Sequence, residues 1–73
     1  MGHWPSVKAR DLYAALIAIG WRQKHEQRTG GSHVLLARPG WPDFPFAFHP
    51  GTEIGPKMLA RVAKQTGLKR EDL

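Results

Sequence analysis

Histidine is the side chain best suited to proton transfer near neutral pH, and His33 has the most constrained local sequence of the four in this chain. It lies in Thr29-Gly30-Gly31-Ser32-His33-Val34-Leu35-Leu36, at the mouth of the most apolar central run. Paired glycines allow a tight turn through positive φ, and Val-Leu-Leu reads as a strand entering a core. An imidazole held there could act as general acid or base. The same surroundings would suit a half-buried histidine that only satisfies a turn carbonyl.

Other chemistries find less support. His25, His33 and His49 lack the i, i+4 helical spacing of a zincin and any matching carboxylate pattern, so no metal site is expected. Glu26, Glu53, Glu71 and Asp72 form no paired acid–base arrangement. Gly30-Gly31-Ser32 precedes a strand rather than a helix and has no following lysine, which excludes a phosphate-binding P-loop. A nucleophilic Ser32 would need a base and an orienting acid that the sequence does not identify. No cofactor motif is present.

The elements that must position His33 follow from periodicity. After an extended lead-in over residues 1–7, Leu12, Leu16 and Ile19 recur at spacings of four and three, with Ala15 between them. Tyr13 and Ile17 widen that stripe, while Arg10, Asp11, Ala14 and Ala18 face away. This predicts a helix over 9–19, ended by Gly20. Residues 21–27 read as a polar edge strand, 28–31 as a turn, 32–38 as a second strand and 39–43 as a loop. Phe44, Phe46 and Phe48 alternate and so share one face of a third strand, and Pro45 argues for a sheet edge or a late start of that strand. Residues 49–54 read as a loop. Pro56 suits the first position of a second helix, with Leu59, Val62, Ala63 and Thr66 inward and Gly67 as its cap. A further short turn would carry Glu71 and Asp72. The expectation is a single α+β domain over 1–73, with a three-stranded antiparallel meander and both helices on one face. The parity of the second strand stays open. If His33 faces solvent, Leu35 and Ala37 share its side, and Val34 and Leu36 enter the core.

Seventy-three residues without cysteine must be stabilised by apolar burial, much of it aromatic. No run approaches a membrane span or signal-peptide core, so a cytoplasmic domain with no membrane partner is expected. Eleven Lys and Arg against six acidic residues give a formal charge of +5, which favours polyanions, chiefly nucleic acid. Lys57, Arg61 and Lys64 repeat on one side of the second helix, with no acidic residue between Glu53 and Glu71. Such a row can neutralise phosphates or simply be solvated. RNA carries its own nucleophile, the 2′-hydroxyl, so one histidine among cations such as Arg22, Lys24 and Arg28 could cleave it without metal or cofactor.

The order helix, Gly20-Trp21, polar strand, Gly31-Ser32-His33, and a closing Met58-Leu59-Ala60-Arg61-Val62-Ala63-Lys64-Gln65-Thr66-Gly67-Leu68 resembles the HicA (YcfA-like) family from about Ser6 to Leu73. The resemblance implies an α-β-β-β-α, double-stranded-RNA-binding-domain-like fold. It also implies a toxin of a type II toxin–antitoxin system, an mRNA interferase neutralised by a HicB-like antitoxin, monomeric when free and hetero-oligomeric with that partner. The family's catalytic histidine falls on His33. Gly31 and Ser32 would then fix its position and hold a phosphate oxygen. Lys24 and Arg28 would meet transition-state charge, and Lys57, Arg61 and Lys64 would track the RNA backbone. The chain departs from the family in carrying Val34 where many members have a second polar residue, and in a longer Thr29-Gly30-Gly31 turn. A non-catalytic module binding duplex RNA is the alternative for the same fold.

Overall fold

The computed structural model describes residues 4–24 and 34–73. The elements run β1 (Val7–Lys8), α1 (Ala9–Ala18), β2 (Arg22–Gln23), β3 (Val34–Arg38), β4 (Trp41–Phe46), β5 (Glu53–Ile54) and α2 (Pro56–Thr66), then a 3₁₀ turn, Arg70–Asp72. The architecture is α+β, with two helices and a three-stranded antiparallel sheet ordered β2-β3-β4 among the described residues.

Helix α1 buries Ala9, Leu12, Ala15 and Leu16 and leaves Arg10, Asp11, Ala14 and Ala18 exposed, as the stripe predicts. It stops at Ala18 because the next residues form a Schellman cap. Gly20, at φ 118°, donates its N–H to the Ile17 carbonyl at 3.1 Å, and the Trp21 N–H reaches the Leu16 carbonyl at 3.0 Å. Arg22 Nη1 also donates to the Ile17 carbonyl, at 2.8 Å. One of the cations expected near the histidine thus helps to end a helix. Helix α2 starts at Pro56, buries Leu59, Val62 and Thr66, and ends on Gly67 at φ 77°.

The sheet is the expected meander, with β4 at an edge, but its boundaries differ from the expectation. The third strand covers Trp41–Phe46 rather than 44–48, because the connection after β3 is only the Pro39-Gly40 turn. Trp41 therefore pairs with Arg38, and a bulge sets Pro42 and Asp43 opposite Ala37 alone. A bulge absorbs a residue that cannot donate to the ladder. Phe44 and Phe46 are buried on the strand, while Phe48 lies beyond its end and is half-buried. Parity on β3 is settled for the described residues: Leu36 is fully buried, Val34 packs against the core, and Leu35 and Ala37 are half-exposed.

Two further elements correct the expected helix–three strands–helix order. The lead-in and the 49–54 segment contain paired strands, with Val7 opposite Ile54 and Lys8 opposite Glu53. The Ala9 and Arg10 N–H groups donate to the Thr52 and Pro50 carbonyls at 2.8 and 3.2 Å, which satisfies two donors at the start of α1. Two-residue strands carry no periodicity and are invisible to pattern reading.

One cluster joins Leu12 and Leu16 of α1, Leu59 and Val62 of α2, and Leu36, Phe44 and Phe46 of the sheet. Trp21, expected to begin a polar strand, is instead fully buried within it. Its indole N–H donates to the Thr66 carbonyl at 3.1 Å, so the residue joins the end of α1 to the end of α2.

Candidate functional site

His33, Gly31, Ser32 and Arg28 lie outside the described residues, as does His25. Four of the expected site residues can be placed: Lys24 just beyond β2, and Lys57, Arg61 and Lys64 on α2.

The spacing of four and three keeps Lys57, Arg61 and Lys64 on the exposed side of α2, opposite Leu59, Val62 and Thr66. Among the described residues no carboxylate pairs with any of the three; the ion pair found there is Lys24 with Asp43. Lys57 and Arg61 flank the half-exposed Met58 at a shallow depression that begins at Gly55. Lys64 stands at the other end, where it lines a concavity with Gln65 and residues 41–44 of β4.

Lys24 is held more firmly than a free cation would be. Its backbone N–H donates to the Leu35 carbonyl at 2.9 Å, extending the ladder past β2. Its Nζ lies 2.8 Å from Asp43 Oδ2, with the two side chains 40% and 42% exposed. Asp43, the partner of Lys24, also lines the concavity that Lys64 borders. The pair neutralises Lys24 locally, and at that exposure it contributes at most about 1 kcal/mol. A phosphate could therefore displace Asp43 at small cost.

Sequence reasoning missed two features. Arg38 places its guanidinium 5.3 Å from the Trp41 ring centre and donates from Nη1 to the Thr66 carbonyl at 3.2 Å, so it is committed to the end of α2. The second is a groove of about 250 Å³ between α1 and the sheet, bordered by Tyr13, Gln23, Val34, Phe46 and Phe48. Its signal in the sequence was the Phe44-Pro45-Phe46-Ala47-Phe48 alternation, which spreads aromatic rings along one side of the sheet and past its end. Among the described residues no three His, Asp or Glu side chains gather as a metal site, and no helix is long and apolar enough to cross a membrane.

These features define a small basic α+β domain whose second helix turns three cations outward, none paired with a carboxylate among the described residues. Residues 9–68 match the family model described as the HicA toxin of bacterial toxin–antitoxin, and the chain belongs to that family. It is therefore a toxin-family member, with an antitoxin partner implied in general terms. No curated protein and no solved structure matches the chain closely enough to add to this.

Proposed function

We infer that this chain is a metal-independent endoribonuclease, the toxin of a type II pair. As a single domain in the cytoplasm it cuts mRNA and is neutralised by a HicB-like antitoxin. It is a monomer when free and a hetero-oligomer with that partner. The observation that carries this reading is the family match over residues 9–68, which spans the Gly31-Ser32-His33 motif.

His33 acts as general base or acid at the 2′-hydroxyl and scissile phosphate, a role that requires a group able to take and return a proton near neutral pH. Gly31 and Ser32 hold it and offer donors to a phosphate oxygen. Arg28 and Lys24 meet the charge that develops in the transition state. Lys57, Arg61 and Lys64 track the backbone, and their outward arrangement on α2, with no paired carboxylate among the described residues, supports that part of the reading.

His33→Ala tests it. The variant should lose RNA cleavage and toxicity while its circular dichroism spectrum and RNA retention match the parent. Cleavage at the parent rate would remove His33 from the mechanism. A parent protein that retains duplex RNA but yields no products on a gel would replace the enzyme with a non-catalytic module. Replacing Lys57, Arg61 and Lys64 together by Gln should lower the salt dependence of single-stranded RNA binding by about 2 in log–log slope, about 0.7 per lost contact.

A further inference from the structure

The groove between α1 and the sheet is mostly apolar and aromatic, with Gln23 and Arg10 among its lining residues. Its floor is a run of three rings. Phe46 meets Tyr13 edge-to-face with centroids 5.3 Å apart and planes at 74°, and meets Phe48 at 5.3 Å and 85°. Phe46 is buried, whereas Tyr13 and Phe48 are half-exposed and offer ring surface to the groove. Phe48 lies beyond the last residue of β4, so the ladder does not hold it.

Polar groups stand at the margins of this floor. The Gln23 side chain, whose Oε1 accepts from the Tyr13 hydroxyl at 3.4 Å, carries an amide that can both donate and accept. Arg10 is exposed on the first turn of α1 and borders the groove, where it adds a positive charge. The volume of about 250 Å³ is below the ~300 Å³ at which pockets for drug-sized ligands begin, and so suits one planar ring system. Unpaired RNA bases are recognised in this manner, stacked on aromatic rings and hydrogen-bonded at their edges, with arginine at the backbone. Bases inside a duplex are not available to such a site. Val34, which closes the groove on β3, directly follows His33 in the chain.

We propose that this groove binds one unpaired base of a single-stranded RNA substrate, with Phe48 and Tyr13 as the stacking surface, Gln23 at the base edge and Arg10 at the adjoining phosphate. The assignment rests on the reading of the chain as a ribonuclease and names the form of RNA it takes.

The test is binding of the full chain to a single-stranded 2′-O-methyl RNA, which lacks the internal nucleophile, and to a series of the same oligonucleotides with one abasic position each. The parent protein should lose roughly 5- to 150-fold in affinity when one particular base is removed. Phe48→Ala should show that loss with the intact oligonucleotide and no further loss with the abasic one, while Phe48→Tyr retains parent affinity. Gln23→Ala, at a half-exposed position that leaves the core untouched, should change which base is preferred at that position. Circular dichroism confirms that each variant is folded. The proposal fails if no single base matters, if folded Phe48→Ala binds both oligonucleotides as the parent does, if duplex RNA is preferred, or if the variants weaken only binding of an antitoxin. Retained cleavage by a Phe48→Ala protein with unchanged RNA affinity would remove the subsite and leave the ribonuclease reading standing, whereas a parent protein without RNA cleavage removes that reading itself.

Discussion

At the turn end of the β3–β4 hairpin, Trp21, Trp41 and Arg38 close around the last residues of α2. At the open end, Tyr13, Phe46 and Phe48 line a groove. Both ends are built from aromatic rings at similar separations, 6.2–6.3 Å around Trp21 and 5.3 Å around Phe46. The difference lies in what the polar atoms do. At the turn end the Thr66 carbonyl accepts from both Trp21 Nε1 and Arg38 Nη1, and the Thr66 hydroxyl donates to the Val62 carbonyl at 2.7 Å and accepts from the Leu68 N–H at 3.3 Å. At the open end the Tyr13 hydroxyl donates to Gln23 Oε1 at 3.4 Å, while the Gln23 amide nitrogen and the charge of Arg10 border a concave surface. Rings whose polar neighbours are bonded internally serve stability, and rings with polar groups on an open margin are suited to recognition.

This contrast can be broken most severely at Trp21. Trp21→Ala removes the largest fully buried side chain and should cost about 3–5 kcal/mol. A chain of this length has about 4–11 kcal/mol in total, so urea unfolding should find a large share of that stability gone and the thermal midpoint lowered by at least about 12 °C. Gly67→Ala comes next. The added Cβ would sit 2.8 Å from Trp41 Cη2 on a residue at φ 77°, and the left-handed conformation alone costs about 1–2 kcal/mol. A clear fall in the thermal midpoint is expected. Thr66→Val keeps the volume but removes the hydroxyl bonds to Val62 and Leu68, for about 1 kcal/mol. Asp43→Asn, on the exposed face, should change stability by less than about 0.5 kcal/mol, and any change should vanish in high salt. If Asp43→Asn instead destabilised the fold as much as Gly67→Ala, the assignment of that face to ligand rather than scaffold would be wrong.

Most of the helical architecture was legible because helices of ten and eleven residues carry several turns of periodicity. The buried Leu12 and Leu16, the Pro56 start and the Gly67 cap all follow from spacing and from two special residues. The strands were legible in order but not in extent. Trp41 looked like part of a loop between two prolines, yet a bulge accommodates Pro42 and lets pairing begin at the turn. For the candidate site, the exposure of Lys57, Arg61 and Lys64 followed from helical geometry. The Lys24–Asp43 pair did not, because its partners stand 19 residues apart and meet only across the sheet.

What the sequence by itself determined is what depends on near neighbours: both helices and their inward faces, the Gly20 and Gly67 caps, the basic outer side of α2, and the Gly31-Ser32-His33 motif that carries the resemblance to HicA toxins. Only the tertiary structure decided the roles of residues that act at a distance. It drew Trp21 out of a polar stretch into the core, paired Val7 with Ile54, committed Arg38 to the Thr66 carbonyl, and brought Tyr13 beside Phe46 to make a groove. The physical reason is that periodicity records which side of an element is apolar, whereas these contacts join separate elements. Their partners are set by how the chain packs, and no local pattern encodes that.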